Sequence, residues 1–489
     1  MKAAIALTTL FTLVAAHDAH ANHARFVKRQ ATSSAASSSV ASTTSSAASS
    51  ATSSSSASST GSGSSSTSAT SAVSGSASVT TSAASVGTSL VGTSIPPLSE
   101  ITSGAPSQST QPLTSTYTAG QTPSIDGAPA LPTWSLVVSD WPTMDKVPPT
   151  DSDEVTEWMK ELDGFDIPDL DVTDGSCAGS PTQAADAQNR GWWSCGGYTR
   201  DTDIVSCPDK LTWGMSFDDG PGPYSKKLLE YLDEKDLHAT FFVVGSRVLE
   251  RPDALRDEYM SGHEISLHTW SHRPLTSLTN EEVVAEFGWT RKVISEVIGV
   301  TPTTMRPPYG DIDDRVRAIA LAMGMVPIIW TRGPQNNQFD TNDWKVPGGV
   351  VTGEQSVQAF EQILGNATEI DTGFIVLEHD LYQQTVDLAV GYTLDKALSY
   401  NPTLTLKAIG ECQGWPNTDM YLETTTNTTF PYPDSVAANA ATTTASARAT
   451  AVGSSQSSNS GAQIGLVVPK ISSMLVGVSV LVGGLFILA

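Results

Sequence analysis

Positive charge is scarce in this sequence: Lys and Arg number 27 in 489 residues, against 51 Asp and Glu, for a net charge of −24. Without a basic cluster it lacks the counterion-releasing footprint that binding to a phosphate backbone requires, which excludes nucleic acid as a partner. A neutral or cationic polymer remains compatible with such a charge. Four cysteines in so long a chain are too few for a disulfide-built miniprotein, and no CxxC pair offers a structural zinc site. From Ala31 to Ser99 there is no Asp, Glu, Lys, Arg or His, so the acidity is concentrated between Asp126 and Asp434.

That uncharged stretch is almost wholly Ser, Thr, Ala and Gly from Gln30 to about Thr122. It cannot bury enough apolar surface to offset the entropy of ordering, so residues 22–130 are expected to be a disordered, O-glycosylated stalk. Ahead of it, Lys2, an apolar run from Ala3 to Ala16 and Ala19-His20-Ala21 form a signal-peptide pattern over residues 1–21, with a run too short to span a bilayer. Lys28-Arg29 is a weak dibasic processing signal. At the far end, small residues from Ser458 to Ala462 precede an apolar tail from Ile471 to Ala489. This is a glycosylphosphatidylinositol (GPI) attachment pattern, with Asn459 or Ser460 as the attachment residue and 461–489 as the removed propeptide; a permanent tail anchor is the alternative. The expected address is secreted and GPI-anchored to the plasma membrane or cell wall. Residues 416–460 are expected to be a linker, and Asn366-Ala-Thr and Asn427-Thr-Thr are glycosylation sequons.

Residues 131–204 carry Trp134, Trp141 and Trp158 and a short helix around Glu154–Leu162, and are expected to pack on the domain that follows. Trp192-Trp193 could stack on sugar, but packing against a neighbouring domain is the preferred reading. Residues 205–415 alternate short apolar runs with helical periodicity. Strands are expected at Leu211–Phe217, Ala239–Val244, Glu264–Leu267, Thr303–Met305, Val326–Trp330 and Phe374–Leu377. Helices are expected at Tyr224–Lys235, Arg247–Met260, Glu281–Ile298, Asp313–Ala322 and Gln355–Leu364. Such an order implies an α/β fold of parallel strands with helices outside, closing into a single barrel-like domain.

Chemistry-bearing residues collect at the carboxyl ends of those strands. Ser216-Phe217-Asp218-Asp219-Gly220-Pro221 pairs two carboxylates, one free to bind metal while the other handles a proton. His268 and His272 stand at i, i+4, a spacing that brings two imidazoles to one cation and, with Asp219, leaves positions open for water. Arg306-Pro-Pro-Tyr309-Gly-Asp311 offers a guanidinium for a carboxylate and a backbone N–H for an oxyanion. Asp340-Thr-Asn-Asp343-Trp344 and Leu377-Glu378-His379-Asp380 follow, the latter placing a His where a general acid could stand. Each cluster alone also reads as turn, surface or ion-pair chemistry. It is their recurrence at strand ends that points to a site.

Taken in order, SFDDGP, HTWSH, RPPYGD, DTNDW and LEHD resemble the five motifs of the polysaccharide deacetylase family, carbohydrate esterase family 4 with the NodB homology domain. With its leader, stalk and tail, the chain is most similar to the fungal chitin deacetylases among them. The resemblance covers about Cys207–Cys412 and implies a deformed (β/α) barrel holding a divalent metal, zinc or alternatively cobalt, on Asp219, His268 and His272. It implies hydrolysis of the N-acetyl groups of chitin to chitosan and acetate in cell-wall remodelling. In it Asp218 is the general base, His379 the general acid, Arg306 the partner that orients Asp218, and Asp343 the carboxylate that raises the basicity of His379. The Tyr309 backbone N–H serves the oxyanion, and Leu377 and Trp344 line the pocket for the acetate methyl. Ser216 stands where Thr is more usual, and the Thr331–Asp340 loop, with Gln335, Asn336, Asn337 and Gln338, is long for motif four. Polymer preference is therefore less determined than chemistry. Other acetylated glycans, xylan or peptidoglycan, and a catalytically silent chitin-binding wall protein are the alternatives. Four cysteines allow three pairings; Cys207–Cys412 closing the barrel ends, with Cys177–Cys195 local, is preferred.

Overall fold

The run Leu211–Phe217 folds as two strands rather than one, because it changes partners at Met215. The Met215 N–H donates to the Lys407 carbonyl (2.7 Å), while its own carbonyl accepts from the Thr240 N–H (3.0 Å). β1 (Thr212–Gly214) therefore lies between β7 (Phe374–Ile375) and β8 (Thr405–Lys407). β2 (Ser216–Asp218) begins a second sheet that continues through β3 (Thr240–Val243), β4 (Glu264–Leu267), β5 (Thr304–Met305) and β6 (Val326–Pro327). Every pairing is parallel, with Phe217 opposite Phe241 and Phe241 opposite Ile265. Parallel strands are covered on both faces, and accordingly β2, β3 and β4 are buried throughout.

The two sheets join by irregular backbone. Thr331 N–H donates to Ile375 O (3.0 Å), Leu377 N–H to Phe339 O (2.8 Å) and Asp218 N–H to Glu378 O (2.9 Å), which closes a ring from β6 through β7 to β2. The result is the deformed α/β barrel. Helices wrap it outside, the longest being Asn280–Ile298 and Gly353–Glu369, each started by a capping box (Thr279 with Glu282, Thr352 with Gln355). The expected helix Arg247–Met260 is two, Gly245–Glu250 and Pro252–Met260. Pro252 disfavours a helical Arg251, which sits at φ −136°, and opens the second helix at its first turn.

In the computed structural model the described residues are 95–105, 108, 110, 113, 117–133, 135–333 and 337–427. Two expected boundaries move. The stalk, expected to reach residue 130, packs on the barrel from Ile95 onward: Ile101 is buried with Val346, Val357 and Leu388, and the Tyr392 hydroxyl donates to Pro96 O (2.8 Å). Ile95, Leu98 and Ile101 are the apolar residues that dock this part of the chain. The linker, expected from residue 416, is likewise part of the fold up to Asn427, with Met420 and Tyr421 buried and the Tyr421 hydroxyl accepting from the Ile265 N–H (3.1 Å). Signal peptide, tail, Asn459, Ser460 and Trp134 lie outside the described residues, among which no helix is long and apolar enough to cross a membrane.

The segment before the barrel packs along the Asn280–Ile298 helix. Trp158 fills the space left by the missing side chain of Gly288 and meets Trp289 edge-on at 5.5 Å, while Arg291 and Lys292 pair with Glu161 and Glu154. Two disulfides bind the chain: Cys207–Cys412 joins the approach to β1 to the helix after β8, and Cys177–Cys195 closes a local loop.

Candidate active site

The motifs turn abruptly where the strands end. Asp219 (φ 79°), Thr269 (φ 65°), His272 (φ 56°) and Tyr309 (φ 60°) all adopt the left-handed region without being glycine, at a cost on the order of 1–3 kcal/mol each. Neighbouring groups hold these turns. The Arg247 guanidinium donates to the Asp219 carbonyl (2.6 Å). Buried Glu286, projecting from the Asn280–Ile298 helix, accepts from the Trp270 N–H (2.7 Å), the Ser271 N–H (2.8 Å) and the Ser271 hydroxyl.

Asp219, His268 and His272 present ligand atoms that all lie within 4.8 Å of one another. The Asp219 Oδ1 is 3.0 Å from His272 Nε2 and 3.5 Å from His268 Nε2. His268 Nδ1 is 2.7 Å from the Arg306 carbonyl, a geometry in which Nδ1–H donates and Nε2 keeps its lone pair toward Asp219. Burial, then the neighbouring His272, hold His268 well below its ordinary pKa and so in the neutral form that binds metal, against the opposing pull of Asp219. Two imidazole nitrogens and one carboxylate, converging with Asp219 and His268 buried and His272 half-buried, fit a divalent cation.

Near this cluster stand a further carboxylate and a further imidazole, each held by a charged partner. Asp218 Oδ1 accepts from Arg306 (2.6 Å), whose guanidinium also reaches the Ser216 hydroxyl (3.0 Å) and lies over the Phe242 ring (3.9 Å). Burial lifts the Asp218 carboxyl above its usual range, while Arg306 and His379 pull the other way. Asp343 grips His379 twice, through Nδ1 (2.8 Å) and the backbone N–H (2.9 Å). Burial lowers the His379 imidazole, but Asp343, with Asp219 and Asp218 beyond it, outweighs that and lifts it to about 10. Asp218 and His379 themselves form a parallel bridge.

Tyr309 stands with its ring edge-on to His272 (4.7 Å), Leu377 is buried, and Trp344 is half-buried beside Lys345. Residues of all five motifs therefore converge. Trp192 and Trp193 are buried and pack as the preferred reading has it. Asn427 is exposed, and Asn366 is half-buried on the Gly353–Glu369 helix. Arg247 and Glu286 were not singled out from sequence. Their only signal there is a charged residue at a position with apolar helical neighbours, as at Val283 and Phe287 around Glu286.

This layout, a parallel barrel whose strand ends bring together a His/His/Asp cluster, a carboxylate and a carboxylate-bound imidazole, is that of a hydrolase. The sequence model of the family Polysaccharide deacetylase matches residues 206–328. Chitin deacetylase 1 of Cryptococcus neoformans var. grubii serotype A is 57% identical over 339 residues, 68% of this chain and 72% of that protein. Chitin deacetylase of Amylomyces rouxii is 40% identical over 209 residues, 41% of this chain and 47% of its own length. Among solved structures, the chitin deacetylase from the fungal pathogen Colletotrichum lindemuthianum is 25% identical with a TM-score of 0.40, covering 46% of this chain and 96% of that one. The chain belongs to the polysaccharide deacetylase family and is an enzyme.

Proposed function

We propose that this enzyme removes N-acetyl groups from chitin, yielding chitosan and acetate, and acts in remodelling the cell wall. The observation that carries the reading is the convergence of Arg306-held Asp218 and Asp343-held His379 with the Asp219/His268/His272 cluster. The 57% identity to a protein named chitin deacetylase supports the substrate. Asp218 takes a proton from the attacking water as the water oxygen bonds to the acetamide carbonyl carbon. The Tyr309 backbone N–H faces the oxyanion that develops, and Leu377 and Trp344 receive the methyl. When the carbon–nitrogen bond breaks, its electron pair goes to nitrogen and His379 supplies the proton that makes the amine a leaving group. A divalent cation held by Asp219, His268 and His272 would polarise the carbonyl and acidify the water. The acidic chain would also retain its cationic product nearby.

Acetate release from N-acetylglucosamine oligomers should be abolished by chelator, restored by zinc or cobalt, and reduced about 10²–10⁴-fold by Asp218→Asn, the usual worth of general base catalysis. Oligomer binding with no acetate release by the wild-type chain would overturn the reading in favour of a binding protein. For the address, the 1–21 leader and the 461–489 tail support secretion followed by GPI attachment at Asn459 or Ser460. Phosphatidylinositol-specific phospholipase C should then release the enzyme from membranes into solution, whereas a permanent tail anchor would leave it membrane-bound.

A further inference from the structure

Asp311, the last residue of RPPYGD, is buried and its carboxylate accepts four hydrogen bonds. Oδ1 takes the Trp192 indole N–H (2.7 Å) and the Ser194 hydroxyl (2.8 Å); Oδ2 takes the Thr276 N–H (2.9 Å) and hydroxyl (2.7 Å). Trp192 and Ser194 precede the barrel, in the loop closed by Cys177–Cys195. Thr276 belongs to the stretch that leaves His272. One carboxylate thus joins the turn bearing Tyr309 to the stretch after the metal-ligand turn, through a segment outside the barrel.

The same segment makes further contacts with both. The Trp193 N–H donates to Ile312 O (3.0 Å), and Arg190 pairs with Asp313 (2.9 Å). The Trp193 ring lies so close to Gly310 that a Cβ there would be 2.3 Å from it, and Gly310 is itself at φ 64°. Thr173 N–H donates to Thr276 O (2.9 Å), and its hydroxyl meets the Thr276 hydroxyl at 2.6 Å. Within the turn itself, Gly310 N–H to Pro307 O (3.0 Å) and Asp311 N–H to Pro308 O (2.9 Å) are the internal bonds. A tyrosine at φ 60° costs about 1–2 kcal/mol relative to right-handed backbone, a cost that the contacts around the turn must offset.

We propose that the disulfide-closed segment 177–195 is a positioning element for the oxyanion turn, with Trp192 and Ser194 acting through Asp311 to aim the Tyr309 N–H. This rests on the deacetylase reading above, and concerns residues that the chemistry itself does not touch. Loosening the clamp misaims a donor that matters as charge develops. It leaves the methyl pocket of Leu377 and Trp344 as it is, so kcat should fall while KM holds.

The test uses the full chain with Trp192→Phe, Ser194→Ala and the double variant. The double variant should lose roughly 10- to 100-fold in kcat with KM within about twofold, as expected for a misaimed catalytic group. Ser194→Thr, which keeps the hydroxyl, should restore most of what Ser194→Ala loses. Amide exchange at Gly310 and Asp311, read by mass spectrometry, should quicken about tenfold in the double variant, because opening of the turn becomes easier. A lowered melting temperature with kcat and turn exchange unchanged would overturn the proposal and leave the segment a mere brace. Absence of acetate release by the wild type would sink the deacetylase reading instead; the exchange rates would then decide the clamp alone, faster exchange upholding it and unchanged exchange overturning it.

Discussion

His379 shows how a residue's chemistry is made by its neighbours rather than by its type. Burial by itself would leave this imidazole neutral at the pH of most cells, and the Asp343 carboxylate reverses the sign of the shift, lifting it to about 10. The raised value means the proton stays on into alkaline solution, which is what the proposed acid role requires. Asp343→Asn removes the charge and keeps the burial, so the imidazole loses its proton at lower pH. The alkaline limb of kcat/KM should then move down by about 1–3 pH units, the usual worth of one adjacent opposite charge. A limb that does not move would take the acid role away from His379. The sequence singles out Asp218, Asp219, His268, His272, Arg306, Asp343 and His379, and the structure brings them together; such residue types stand out because no apolar residue offers their chemistry. Arg247 and Glu286 were not, because they act through backbone carbonyls and N–H groups whose positions depend on the fold.

Among the elements, the Asn280–Ile298 helix connects packing to the site. One side carries Glu286 against the metal-ligand turn, and the outside is covered by Trp158. Burial lifts Glu286 to about 7, against the downward pull of the donors from Ser271 and Trp270. A carboxyl raised in the folded state contributes stability that is complete below its ordinary value near 4.5 and is lost as pH rises through about 7. Glu286→Gln is neutral throughout, so the melting temperature of the wild type should fall relative to the variant across that window and run parallel to it below. Parallel curves throughout would show that Glu286 ionises as freely folded as unfolded. Most strands and helices were legible from period and length, but the division of Leu211–Phe217 into β1 and β2 was not. It depends on Thr240 and Lys407 arriving from either side of Met215, and no local pattern encodes that. The helices Gln383–Leu388 and Leu394–Leu398, joined by a π-turn, and the short, half-exposed β8 were also missed. Each is too short for its period to stand out.

At the scale of the whole molecule, the fold is larger at both ends than composition suggested. Ile101 on one side and Met420 and Tyr421 on the other are buried. A chain cut to 131–415, the limits that composition suggests, should melt well below one cut to 95–427, since losing each such side chain costs about 2–5 kcal/mol. Equal melting temperatures would show those contacts to be idle. Composition misleads here because a few apolar residues at the edge of a Ser/Thr-rich tract suffice to dock it when the surface they meet is already formed. By itself the sequence determined which donors, acids and bases this protein has and in what order, since both follow from residue type along the chain. Only the tertiary structure decided how the barrel closes, that Trp192 and Ser194 from outside the barrel hydrogen-bond Asp311 in the turn bearing Tyr309, and that Asp219, Thr269, His272 and Tyr309 take left-handed backbone. Those features arise from contacts between different elements, from Glu286 with Ser271 to Trp192 with Asp311, and such contacts exist only once the chain has folded.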